Sequence, residues 1–198
     1  MRLSLNKSSL KQQRDHLEMY RRFLPSLDLK RQQLLGAWRD ARTDLEEAEA
    51  DYSRMRDSLN RILPLLGSST LRQRDLSSLV RLSDVRIETE NVVGARVPVI
   101  REVKFERADY STLSLPFWVD QLVDSLEQVG ELRIRKQVQQ ERVERLRVAS
   151  RKVTQRVNLF EKILIPTAKQ NIKKIRIAMS DEERSAVIRS KLAKKKQR

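Results

Sequence analysis

Cysteine is absent from this chain of 198 residues, histidine occurs once and glycine four times. Without cysteine there is no disulfide, no thiolate metal site and no cysteine nucleophile. The lone imidazole, His16, excludes any zinc site that needs two. Gly36, Gly67, Gly94 and Gly130 are scattered, so no loop of the GxxxxGK or GxGxxG kind is present to cradle a phosphate. Aromatic residues contribute 5% and charged residues 35%, which leaves little for a large globular core. Apolar runs are short, and none approaches the ~20 residues that cross a bilayer. Met1 to Lys7 has no apolar h-region, so no signal peptide is expected. The sequon Asn6-Lys7-Ser8 has no consequence without secretion. His16 lies beside Asp15 and Glu18 with no nucleophile at hand, and no catalytic constellation emerges. No cofactor is expected.

What the chain has in excess is positive charge, +15 in all from 42 basic and 27 acidic residues. From Arg133 onward there are 21 basic and 6 acidic residues, so the whole surplus lies in the C-terminal third. Clustered Lys and Arg suit a polyphosphate surface. They equally suit a solvated helix facing an acidic partner, followed by a basic tail at Lys194-Lys195-Lys196. Phe160 is the only aromatic after Trp118, so stacking on bases is unsupported and the second reading is favoured.

The apolar residues are ordered. Steps of three and four from Leu10 reach Leu17, Tyr20, Leu24, Leu27, Leu34, Trp38, Ala41, Leu45, Ala48, Tyr52, Met55, Leu59, Ile62 and Leu66. Only Gln13 and Arg31 interrupt the stripe, with Arg31 expected to reach toward its edge. A 3.5-residue repeat held for about eight heptads predicts a coiled-coil helix about 85 Å long. Pro25 deletes one backbone bond and costs about 3 kcal/mol. A kink near Arg21 or Arg22 is expected rather than a break, because the stripe resumes in phase at Leu27.

Gly67 marks the C-terminus of this helix. Residues 70–82, with Leu71, Leu76, Leu79 and Val80, are expected to form a short helix. Alternation around Val85-Arg86-Ile87-Glu88-Thr89 and over Val97 to Phe105 predicts a β-hairpin at about residues 84–107, with Pro98 at an open edge. Ser114-Leu115-Pro116 opens a second long helix. Its seam is weak from Leu122 to Gln140. It then steps clearly through Val143, Leu146, Ser150, Val153, Val157, Phe160, Leu164, Ala168, Ile172, Ile175 and Met179. Consecutive four-residue steps after Phe160 form a stutter, and Pro166 falls inside it. A capping box at Ser180-Asp181-Glu182-Glu183 permits a restart, although an unbroken helix fits equally.

The expected fold is mainly α: a long antiparallel two-helix coiled coil, with a short helix and a small β-hairpin inserted at the turn end. Residues 1–67 make the first long helix, 68–113 the insertion and 114–198 the second long helix with its basic tail. Facing residues should then have numbers summing to about 180. That register sets Asp40, Asp44, Glu46, Glu47, Glu49 and Asp51 beside Arg133, Arg135, Lys136 and Arg142.

The run from Arg156, Val157 and Asn158 through Glu161 to Ile165 and Pro166 resembles the RVNxxExxxIP signature of the D subunit of the V-type/A-type rotary ATPases. Ile172, Ile175 and Glu183-Arg184 continue the likeness. Leu24 to Leu35, with Lys30 and Arg31, is similar to the family's LLxxKRxxL segment. Asn91-Val92-Val93-Gly94-Ala95-Arg96-Val97-Pro98 resembles its NVxGVxxP hairpin.

The resemblance implies a non-catalytic central rotor shaft on the cytoplasmic side of a membrane, peripheral and without direct membrane insertion. Its implied partners are the catalytic and nucleotide-binding A and B subunits of the head, the F subunit of the central stalk and the funnel-shaped adaptor on the membrane ring. Arg156, Val157, Asn158, Glu161, Ile165, Pro166, Ile172 and Ile175 would carry the shaft's signature and packing. Lys30, Arg31, Lys169, Lys173, Lys174 and Arg176 are candidate head contacts, and Asn91, Gly94 and Pro98 a candidate lower-stalk region. The alternative is a basic coiled coil that binds nucleic acid or serves as a scaffold; nucleic acid is the disfavoured partner.

Overall fold

The computed structural model describes residues 4–67, 79–108 and 118–196. Helix α1 spans Lys7–Gly67, strand β1 Val80–Val92, strand β2 Ala95–Arg107 and helix α2 Trp118–Asn158. A π-helical turn, Leu159–Leu164, follows directly, and helix α3 occupies Ile165–Lys196. The chain divides into two compact units, Met1–Gln32 with Arg151–Arg198, and Gln33–Ser150.

The first unit is built from helix alone. The Asn6 side chain starts α1, its Oδ1 accepting the Ser9 N–H at 2.8 Å. An asparagine notable in sequence only as a sequon is therefore an N-cap, whose loss typically costs about 1 kcal/mol. Every expected seam position from Leu10 to Leu27 and from Val153 to Met179 is buried or half-buried. Ile175 is 0% exposed and Val157 2%. Two contacts set the register: the Tyr20 and Phe160 rings meet edge to face at 5.4 Å, and Asn171 Nδ2 donates to Gln13 Oε1 at 3.2 Å. These pairs sum to 180 and 184, as antiparallel helices require. Helix α1 continues through Pro25, which sits on the exposed side, where water can serve the carbonyl it leaves without a partner. At Ser180 the helix does not restart: α3 runs unbroken to Lys196, and every residue from Asp181 to Lys196 is exposed.

In the second unit the same stripe of α1 buries Leu34, Ala41 and Ala48, while α2 contributes Val138, Leu146 and Ser150. Ser150 tolerates the seam because its hydroxyl donates to the Arg147 carbonyl at 2.9 Å. The expected acidic-to-basic pairing is realised at Glu49, which meets Lys136 Nζ at 3.6 Å and accepts from Gln140 Nε2 at 3.4 Å. Lys136 also lies over the Tyr52 ring, 5.5 Å from its centre. Arg142 departs from the expectation. It turns away from α1 and reaches Glu90 of β1 at 3.4 Å.

The two strands form an antiparallel ribbon in which Val80 faces Arg107 and Val92 faces Ala95. One extra residue on each strand, Ser83 and Arg101, interrupts the ladder, and the two offsets cancel. Both bulged residues reach across: Ser83 donates to Glu106 at 2.7 Å and Arg101 to Glu88 at 2.7 Å. Bulges increase local twist, which lets a long ribbon follow a helix. At the turn Val93 and Gly94 both have positive φ, 52° and 84°, the pattern of a type I′ turn. Asn91 Oδ1 accepts the Gly94 N–H at 2.8 Å and braces it. Pro98 lies opposite Thr89.

The start of the ribbon corrects the sequence expectation. Val80 to Leu82, assigned to a short helix, begin β1; the expected helix otherwise falls mostly on residues 68–78, outside the described residues. Leu79 is buried with Val119 and Val123, and its carbonyl accepts the Ala108 N–H at 3.0 Å, closing the base of the ribbon. The expected cap at Ser114 also lies outside the described residues.

Candidate functional site

Among the described residues no group of His, Cys, Asp or Glu side chains has the arrangement to hold a metal ion. Nor is any described helix long and apolar enough to cross a membrane. A cavity of about 190 Å³ between β2 and α2 is lined by residues that include Pro98, Ile100, Val103, Val138, Gln139 and Arg142. It contains no nucleophile–base pair. The features to be weighed are therefore surfaces and the helices that present them.

The signature segment straddles a change in helix type. Val157, at the end of α2, is buried in the seam; Arg156 and Glu161 are exposed; Asn158, Ile165 and Pro166 are half-buried. Between them the backbone forms a π-turn in which the Ile165 N–H donates to the Phe160 carbonyl, five residues back. The stutter noted in the sequence is this turn. Ile172 and Ile175 continue the seam beyond it, half-buried and fully buried respectively.

Lys169, Lys173, Lys174 and Arg176 are all exposed on α3. Lys30 and Arg31 are half-buried on α1. Arg31 turns back to Asp28 at 2.5 Å, and the same carboxylate accepts Gln32 Nε2 at 3.0 Å. The aliphatic stem thus covers the seam while the charge is neutralised at its edge, as expected. The register of Tyr20 on Phe160, whose numbers sum to 180, sets Lys30 at the level of residue 150. The two candidate groups of head contacts are therefore separated by about 30 Å along the helices.

Asn91, Gly94 and Pro98 belong to a ribbon that folds back along α2. At its base, Arg107 forms a two-pronged bond to Glu127, Nε to Oε1 and Nη2 to Oε2, each 2.7 Å, and Nη2 also meets Asp124 at 2.9 Å. These hydrogen bonds from Arg107 hold the Glu127 carboxyl below the usual carboxylate range. Close to the base, the Phe105 ring lies over Gly130: a Cβ there would come within 2.9 and 3.0 Å of two ring carbons. Toward the turn, Arg142 reaches Glu90 and Arg145 Nη1 donates to the Arg96 carbonyl at 3.3 Å. Charges at both ends and one aromatic-on-glycine contact between them fix the ribbon to α2.

Sequence reasoning misses all of these ribbon contacts, although one signal points to them. Glycine inside a helical pattern destabilises it by ~1 kcal/mol and commonly marks close approach by another element. Gly36 and Gly130 both carry this signal, and only at Gly130 does another element come close.

A sequence profile described as the D subunit of ATP synthase matches residues 9–195. The V-type ATP synthase D subunit of Borreliella burgdorferi is 31% identical over 193 residues, covering 98% of this chain and 94% of that protein. The protein of the same name in Chlamydia muridarum is 33% identical over 194 residues, 98% of this chain and 95% of its own. That of Chlamydia abortus is 34% identical over 194 residues, 98% and 93% respectively. The likeness runs from the first turns of α1, through the ribbon, to the end of α3, and the chain belongs to the family of ATP synthase D subunits.

Proposed function

We propose that this chain is the central rotor shaft of a V-type/A-type rotary ATPase, transmitting torque between the catalytic head and the ion-translocating ring in the membrane. The observation that carries the reading is the coincidence of whole-length similarity to ATP synthase D subunits with paired helix stripes in each unit, Leu10 to Leu27 with Val153 to Met179 in one and Leu34, Ala41 and Ala48 with Val138 and Leu146 in the other. A shaft needs stiffness, asymmetry and no chemistry of its own. A paired helix with different faces supplies the first two. Each head site would meet a different face of the shaft, which biases its open or closed state through differential contact.

The partners in this reading are the A and B subunits of the head, the F subunit of the stalk and the funnel-shaped adaptor, on the cytoplasmic side of the membrane. Residues 1–67 and 114–198 form the shaft and 68–113 the insertion. Lys169, Lys173, Lys174 and Arg176, with Lys30 and Arg31 at a second level, ride on acidic head surfaces as sliding contacts. Asn91 and Gly94 face the lower stalk, with Pro98 buried behind them against α2. The test is a pull-down at moderate salt with wild type and a Lys169→Glu, Lys173→Glu, Lys174→Glu variant. Wild type should recover head subunits. The variant should stay folded, since exposed helix charges contribute only tenths of a kcal/mol each, yet assemble more weakly. Recovery of nucleic acid without head subunits would overturn the assignment.

A further inference from the structure

From Val143 to Phe160 the seam alternates steps of three and four. Continued unchanged, it would use Thr167 and Lys174, but both are exposed. The buried residues are the next ones along, Ala168 at 3% and Ile175 at 0% exposure. One surplus residue is therefore held between Phe160 and Ala168. In an α-helix a surplus residue turns everything after it by about 100° and would throw the seam into solvent. The π-turn at Leu159–Leu164 absorbs it, since each of its turns takes up more residues than an α-turn.

That accommodation weakens the backbone at one level. Pro166, just beyond the turn, has no N–H to give. The carbonyls of Glu161 and Lys162, its partners in π or α geometry, lose that donor. The wider turn also moves the Lys162 carbonyl away from the proline ring, which explains how a proline sits inside a continuous helical run. On the facing helix Pro25 removes the donor for the Arg21 carbonyl, and the register of Tyr20 on Phe160 sets Pro25 within about a turn of the π segment. Both helices of this unit thus carry a backbone defect at nearly the same height.

We propose that the π-turn at Leu159–Leu164, with Pro166 behind it and Pro25 opposite, is a compliant joint that stores one residue to keep the seam in phase and gives the helix pair a level at which to twist. The joint goes beyond the rotor reading and does not depend on it, because its signatures belong to the chain by itself.

The experiment uses the full chain. One variant removes the exposed Ile163 and carries Pro166→Ala, which converts the π-turn to plain α-helix with the seam intact. A control deletes the exposed Lys152, where no surplus residue exists. The first should unfold at or above the wild-type temperature, and its amides over residues 161–168 should exchange with deuterium about tenfold more slowly than in wild type. The control should melt several degrees lower. If the Ile163 deletion with Pro166→Ala is as damaging as the Lys152 deletion, no surplus residue is stored and the proposal fails. It fails equally if wild-type amides over 161–168 exchange no faster than those of residues 150–157. Neither readout involves head subunits, so failure here leaves the rotor reading to its own pull-down.

Discussion

The two units share α1 and differ in what covers the opposing helix. In the unit made of Met1–Gln32 and Arg151–Arg198, one helix faces one helix, and each needs a single apolar stripe. In Gln33–Ser150, α2 is covered by α1 on one side and by the ribbon on another, so its buried residues no longer fall on one stripe. The seam that looks weak between Leu122 and Gln140 is two shallow seams sharing one helix. Val119, Leu122 and Val123 are almost fully buried there, more completely than most positions of the regular stripe. A faint periodicity can thus mark a helix with two partners as well as one with none.

That contrast can be broken most severely at the single seam. Ile175→Asp places a carboxylate where exposure is zero and should cost about 3–5 kcal/mol. Ile163→Asp, 12 residues earlier at an exposed site, should leave thermal unfolding nearly unchanged. Equal effects would mean the register beyond Phe160 is wrong.

The two helix-interior glycines should respond with opposite sign. Gly130→Ala drives a methyl group against the Phe105 ring and should destabilise the second unit by about 1–3 kcal/mol. Gly36→Ala, with nothing within 4 Å, should stabilise α1 by roughly 0.5–1 kcal/mol. Denaturant midpoints of the two variants decide it. Two shifts of the same sign would remove the ribbon from α2.

A smaller gain is expected at the ribbon's turn. Val93 is β-branched at φ 52°, where asparagine is far better tolerated, so Val93→Asn should add about 1 kcal/mol. Thermal unfolding would read it, and no gain would mean that Val93 makes a contact worth its strain.

The smallest effect concerns pH. The Glu127 carboxyl titrates lower in the folded chain than in the unfolded one, because Arg107 bonds its ionised form. The clamp therefore contributes fully above the ordinary carboxylate range and is lost as pH falls through the depressed value. Unfolding of wild type and Glu127→Gln should converge as pH falls through and below the ordinary carboxylate range. A difference that persists at the acid end would mean that Glu127 acts through packing and not through its charge.

Local spacing makes much of the molecule legible. The stripe from Leu10 to Leu59 is readable because each seam residue is buried by a helix whose own period is known. The ribbon from about residue 84 onward is readable from alternation, and its turn from glycine between two apolar runs, but its start at Val80 is not. The stutter after Phe160 is visible as four-residue steps, but spacing does not say whether it unwinds the supercoil or widens the helix. The partner of Arg142 is not legible, because register alone offers the acidic face of α1 while β1 carries Glu90 on another side.

By itself the sequence determined that stripes of 3.5-residue period would pair helix with helix and that the positive charge would lie outside the seam, because burying an unpaired charge is costly. Tertiary structure alone decided that the ribbon lies along α2, that Gly130 makes room for Phe105, and that the surplus residue near Phe160 is held in a π-turn. Those outcomes depend on contacts between segments distant in the chain and on which neighbour fills a given space, and no local spacing encodes either.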